Sequence, residues 1–379
     1  MANMFKPVLN IHRSDYNKTF EYGKNYHSGT GLSNQLFGII NTIIECIMSD
    51  QKIIIFDGFH LDYFDGEMVE LSKILNFEKI TENLFDKYGK KFIFLDRNLI
   101  EFEFLSAKYG IEPLFTVDVS DKIFAAHPKN DIHFKNVSYN KFFECDPFAG
   151  IQKRLYIQCK LNDHPIQIVH GENQNFHYYN KYFSEDLFLH KRPECSFWID
   201  KFNRDVFNSI LDMIVFNSKF YDLVSSLNLN NMNVIHLRAE NDMVVDQADK
   251  YFEGDRDKSR NLIYNKFRES IKYFPETDEP FFILTAEPEL VEIIYGPEFN
   301  FKIYDYNEKF QHIKDIFGFS GREICGIVDL IIGIDYSNNF IGYFNVKHNV
   351  GSSFSYIVAN RCKGKSILLH ALYEDEIIH

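Results

Sequence analysis

The feature that most restricts the fold is the alternation of short apolar runs with helix-like segments across the C-terminal half. Residues 234–238, 281–285, 301–304 and 339–342 read as strands. Residues 258–273, 287–294, 323–334 and 353–360 read as helices. Strands separated by helices build a parallel, doubly wound α/β sheet. Ligands of such sheets bind beyond the carboxyl ends of the strands. His236, Arg238, Thr285 and the loop after Gly342 fall at those ends.

The N-terminal half begins with a Gly-rich turn, His27-Ser28-Gly29-Thr30-Gly31. A helix over 36–48 follows, with Leu36, Ile39, Ile40, Ile43, Ile44 and Ile47 at helical spacing, then a buried strand over 51–57. Residues 57–191 give strand candidates at 91–95 and 166–169 but no clear order. The spacing of Phe202, Val206, Ile210, Met213 and Ile214 predicts one long helix over 202–227. The polar stretch 228–233 reads as a connector. The chain of 379 residues therefore divides into domains 1–228 and 229–379.

A formal charge of −13 argues against a broad nucleic-acid interface, which needs a basic surface to displace phosphate counterions. The six cysteines form no C-x-x-C pair, so a structural zinc site is not expected. Cys46 and Cys325 sit in apolar surroundings and read as buried thiols. No leader-like start and no membrane-length apolar run is visible, so the expected location is cytoplasmic.

Four features carry candidate chemistry. In Val234-Ile235-His236-Leu237-Arg238-Ala239-Glu240-Asn241-Asp242-Met243, strand alternation predicts that His236 and Arg238 share a face while Leu237 points the other way. Arg238 is a fixed cation suited to a diphosphate, or it pairs with Glu240 or Asp242. His236 is a site residue or a satisfied core histidine. In Gly29-Thr30-Gly31-Leu32-Ser33-Asn34-Gln35, Gly31 and Asn34 would offer a helix N-terminus to an anion or a sugar, or Ser33 or Asn34 would merely cap it. Gly351-Ser352-Ser353-Phe354-Ser355 is a second cradle or a second cap. Asp329 lies in an apolar helix, where it accepts N–H bonds from a nucleotide base, forms a buried ion pair or sits on an exposed helix face. Asp255-Arg256-Asp257 has the form of a metal clamp but reads as a solvated loop or helix start. The histidines show no ligand spacing, so no metal site is expected.

In this order, these segments resemble the GDP-fucose-dependent fucosyltransferase superfamily. Residues 234–243 look like the H-L-R-x-x-x-D-M segment of O-fucosyltransferase-like proteins. Residues 31–37 look like the G-x-x-N-Q-x-F segment of α-1,2-fucosyltransferases, and 328–361 is similar to the D-L…F-I-G…S-S-F-S region of protein O-fucosyltransferases. The resemblance implies a GT-B fold of two Rossmann-like domains, an acceptor-side domain 1–228 and a nucleotide-sugar-binding domain 229–379. It implies inverting, metal-independent transfer of fucose from GDP-fucose to a glycan or protein hydroxyl. Arg238 would hold the diphosphate, His236 would line the nucleotide site, and Asp329 would contact the base. Ser352, Ser353 and Phe354 would bind phosphate and pack near the nucleotide, with Gly31 and Asn34 approaching from the other domain. His27, Glu240 and Asp242 are the candidates for the catalytic base. The chain departs from the α-1,2 pattern because Ala239-Glu240, not a second basic residue, follows Arg238. That leaves a nucleotide-rhamnose donor open, as well as a non-catalytic glycan-binding module on the same scaffold.

Overall fold

A computed structural model describes residues 8–10, 31–49, 53–56, 58–62, 67–96, 99, 101–111, 115–127, 133–134, 138–147, 149–171, 176–179, 182–183, 204–276 and 278–378. His27, Gly29 and Thr30 lie outside the described residues. The fold is mixed α/β, with a parallel sheet flanked by helices.

The isoleucine pattern forms helix α1 (Leu32–Ser49), which buries Leu36, Phe37, Ile40, Ile43 and Ile44. Strand β1 (Ile53–Phe56) pairs in parallel with β2 (Ile93–Asp96), and α2 (Phe77–Tyr88) crosses between them. Asn76 caps α2 by accepting the Lys79 amide, and Gly89 ends it at a φ of 65°.

The middle of the chain departs from Rossmann-like alternation. His164–Gly171, Arg154–Leu161, Phe102–Ile111 and Phe115–Asp118 pair antiparallel in that spatial order, and Val8–Asn10 adds in parallel beside His164–Gly171. The physical reason is a tight turn. Leu161 pairs with His164 across Asn162 and Asp163, and Asn162 takes a φ of 53° that Asn tolerates well. Strands joined so closely must run antiparallel.

The long helix expected over 202–227 is two helices, α3 (Arg204–Leu211) and α4 (Ser218–Ser226). Between them the backbone turns outward to pair with residues 74–76. The Asn76 amide donates to Val215 O and the Asn217 amide to Ile74 O, each at 2.8 Å. Asn217 then caps α4 by accepting the Lys219 amide. Apolar spacing continues through this break because both helices bury the same side, so periodicity alone did not reveal it.

The C-terminal half alternates as expected at the strands and helices read from the sequence, and it adds helices over 241–251 and 306–317 and strands over 365–369 and 376–377. Its elements are β3 (Met232–His236), α5 (Asn241–Tyr251), α6 (Arg256–Ser270), β4 (Phe281–Leu284), α7 (Glu289–Tyr295), β5 (Phe301–Lys302), α8 (Tyr306–Phe317), α9 (Arg322–Asp335), β6 (Ser337–Asn345), α10 (Ser353–Arg361), β7 (Lys365–Leu369) and β8 (Glu376–Ile377). The spatial order is β5-β4-β3-β6-β7-β8, parallel until β8, which pairs antiparallel with β7. Counted in chain order, the parallel strands run 3-2-1-4-5. The order reverses between β3 and β6, a topological switch point where such sheets open a crevice.

Strand alternation assigns the two faces. Val234, Phe282, Phe340 and Leu368 face one core, shared with Ile327, Leu330, Ile331 and Tyr356 from α9 and α10. Ile235, Ile283, Ile341 and Tyr343 face the other, with Val244, Ile263, Phe267 and Val291 from α5, α6 and α7. The first core also contains Leu36, Ile40 and Ile43 of α1, and Phe207 and Phe220 of α3 and α4. The connector at 228–233 thus separates elements that share one hydrophobic core. Among the described residues, no helix is long and apolar enough to cross a membrane. Cys46 and Cys325 are buried thiols.

Candidate functional site at the strand ends

β3 ends at His236, and the chain turns as the Arg238 amide donates to His236 O at 3.0 Å. Leu237 enters the core on the far face, while His236 faces α10. His236 Nδ1 lies 2.7 Å from Ser355 Oγ, which also accepts the Tyr343 amide at 2.9 Å. The imidazole packs against Phe354 with ring centroids 4.5 Å apart. Burial, reinforced by the Arg238 charge, pushes the His236 pKa down to about 3, so the ring is neutral.

Arg238 is held from two sides. Nη1 donates to Glu240 Oε2 and to Asp242 Oδ1, each at 2.8 Å, and Nη2 donates to Asp242 Oδ2 at 2.6 Å. Burial alone would depress its pKa, but the two carboxylates hold it above the usual guanidinium range. The ion pair raised by the sequence is therefore present, and its two halves differ. The Glu240 side chain is 8% exposed and its other oxygen reaches the Ala286 amide and Thr285 Oγ1 at the end of β4. The Asp242 side chain is 63% exposed. Burial opposes ionisation of Asp242, yet Arg238 and the Met243 amide hold its pKa below the usual carboxylate range. Glu240 is the buried partner of Arg238, and Asp242 is its solvent-facing one.

Across the switch point, Ser352 caps α10, with its hydroxyl 3.5 Å from the Ser355 amide. The capping reading of that motif holds for Ser352. Ser353 Oγ donates to Asn34 Oδ1 at 3.4 Å, which brings the two glycine- and serine-containing turns together. The N-terminus of α1 is already occupied, because the Leu32 amide donates to the carboxylate of Glu323 from α9. Gly31 lies against that carboxylate; a Cβ there would meet Glu323 Oε2 at 3.6 Å.

Asp329 lies apart from the Arg238 contacts. Lys309 Nζ of α8 pairs with Asp329 Oδ1 at 2.5 Å, and both side chains are largely buried. Burial raises the Asp329 pKa and Lys309 opposes the rise. Asp255 caps α6 by accepting the Lys258 amide, so the D-R-D string is a helix start. Among the described residues, no group of three His, Cys, Asp or Glu side chains could hold a metal ion.

No protein-family profile and no curated protein matches this chain. Among solved structures it is similar to NodZ α-1,6-fucosyltransferase soaked with GDP-fucose, at 12% identity and a TM-score of 0.31, over 47% of this chain and 53% of that one. It is also similar to the fucosyltransferase NodZ from Bradyrhizobium, at 9% identity and a TM-score of 0.30, over 47% and 53%. The matched part spans about half the length of those chains.

Three residues of this region carried no sequence signal strong enough to single them out. Ser355 was the last letter of a recognised string. Arg322 and Glu323 open an apolar helix, and the partner of Glu323 lies 291 positions away, beyond the reach of any local pattern.

Proposed function

We propose that this chain is a nucleotide-sugar glycosyltransferase of the fucosyltransferase type, moving fucose from GDP-fucose to a glycan or protein hydroxyl with inversion and without a metal. The observation that carries the reading is the half-open Arg238 fork at the β3–β6 switch point, anchored by buried Glu240 and covered by exposed Asp242. The resemblance of residues 31–37, 234–243 and 328–361 to fucosyltransferase segments supports the same donor.

In this reading the donor diphosphate displaces Asp242 and takes the guanidinium fork. As the sugar–phosphate bond breaks, negative charge grows on the leaving oxygen, and a cation already held in position stabilises it without reorganising. His236 and Phe354 form a neutral wall beside the nucleotide. Ser353 and Asn34 meet at the mouth, where the acceptor side and donor side adjoin. Asp329, which the resemblance places at the base, is paired with Lys309 and largely buried, so it has no part in this reading. His27 remains a base candidate by sequence alone.

Calorimetric titration with GDP, GDP-fucose and UDP-sugars, without added metal, tests the reading. Binding of GDP and GDP-fucose is expected, and no heat with any nucleotide would refute it. Arg238→Lys keeps the charge and loses the fork, so GDP affinity should fall about tenfold to a hundredfold.

A further inference from the structure

Glu323 is a buried carboxylate, 7% exposed, in the first turn of α9. Its backbone amide donates to Leu61 O at 3.0 Å, and its Oε2 accepts the first amide of α1. Its second oxygen, Oε1, has no hydrogen-bond partner among the described residues and is not sealed from solvent. A carboxylate anchored through one oxygen and open at the other is oriented without being satisfied.

Its surroundings tie it to the donor site. The neighbouring Arg322 is exposed and makes no hydrogen bond or ion pair among the described residues, and its charge acts on both Asp242 and Glu323. Contacts through α1 and α10 join the first turn of α9 to that region: Glu323 holds the Leu32 amide, Asn34 two positions on accepts from Ser353, and Ser355 lies against His236. On its other side Glu323 meets Gly31 and Leu32, three and two positions before Asn34. Asp62 and Tyr306 are the other ionisable groups close enough to interact with it.

The two carboxylates on the Arg238 fork are less suited to the role. Both Glu240 oxygens are engaged, by Arg238 and by the Thr285–Ala286 corner. Asp242 leaves Arg238 when the diphosphate takes the fork, and its side chain is 63% exposed, so nothing then holds it in one orientation. We propose that Glu323 is the general base of the transfer reaction, taking the acceptor proton on Oε1. This rests on the glycosyltransferase reading above. The acceptor O–H bond breaks to Oε1 while the acceptor oxygen bonds to the anomeric carbon. The carbon–oxygen bond to the diphosphate breaks, and its electron pair leaves on the phosphate oxygen held by Arg238. Glu323 then returns the proton to water.

Burial raises the Glu323 pKa, reinforced by Asp62 and opposed by the Leu32 amide and Arg322. A base so shifted binds the incoming proton more strongly. Glu323→Gln separates this role from anchoring, because the amide oxygen still accepts from Leu32 but cannot take a proton. The probe is GDP release from GDP-fucose with water as acceptor, which needs no knowledge of the natural acceptor. In E323Q, GDP affinity and thermal unfolding should stay near wild type while GDP release falls about a hundredfold or more. Glu323→Asp should keep partial activity and the acidic limb of the pH profile. Wild-type GDP release by a folded, GDP-binding E323Q would overturn the assignment. A wild-type protein that neither binds GDP nor releases it would instead overturn the transferase reading.

Discussion

At the residue scale, two of the partly buried ion pairs do different work. Arg238–Glu240–Asp242 turns its Asp242 side toward solvent, whereas Lys309–Asp329 is enclosed, with side chains 6% and 19% exposed. Removing one member of an enclosed pair strands the other charge. Lys309→Met should therefore lower unfolding free energy by about 3 kcal/mol near neutral pH, and Lys309→Met with Asp329→Leu should recover most of it. The Asp329 pKa is already raised in the fold, so its ionised form is the unfavourable one. Stability lost through it is absent below the unfolded carboxylate range and grows as pH rises through the folded pKa, so the K309M deficit should shrink in acid. Urea melts at two pH values check both statements. By the same logic Arg238→Ala would strand Glu240, which is why the lysine variant is the cleaner probe of the fork.

At the element scale, the switch-point crevice depends on how closely α10 approaches β6. A Cβ at Gly342 would stand 2.6 Å from Ser355 Cβ and 2.8 Å from a Phe340 ring carbon. Gly342→Ala should push α10 away, cost about 1–3 kcal/mol, and disturb the Ser355–His236 contact. An unchanged melting temperature would show that the helix yields freely. The parallel sheet was legible in the sequence because each C-terminal strand is a short apolar run between amphipathic or apolar helices. Of the antiparallel strands over 102–171 the stretch 166–169 was legible, but Phe102–Ile111 and Arg154–Leu161 were not, because they interleave polar and aromatic residues and find their partners far along the chain. The Arg238 cluster was legible, being local, and so was the possibility of its ion pair. The Glu323–Leu32 and Lys309–Asp329 contacts were not, since each joins segments that only tertiary packing brings together.

At the scale of the whole molecule, two buried histidines set an acid limit on stability. Burial, the first cause for each, pushes His236 down to about 3 and His370 down to about 4 from 6.5. The Arg238 charge adds to the first shift, and His348 and Lys266 add to the second. His370 Nδ1 accepts the Leu372 amide, and its buried Nε2 has no hydrogen-bond partner among the described residues. The unfolded chain takes up both protons below about 6.5 while the folded chain refuses them. Their contribution is therefore complete above that pH and is lost as pH falls toward the folded values, at roughly 1.4 kcal/mol per unit for each histidine. Buried carboxylates with raised pKa act in the opposite sense, so the histidine share is read as a difference. The slope of unfolding free energy against pH should be shallower in His370→Gln than in wild type, and equal slopes would remove His370 from the account.

Helix α1 belongs to the N-terminal segment, yet its buried face is continuous with α3, α9 and α10, which cover the parallel sheet. Amides of α1 and α10 should therefore open to solvent together in hydrogen exchange, as one cooperative unit. Any opening and closing over a bound ligand must then be carried by elements outside this unit, since separating α1 from α10 amounts to partial unfolding.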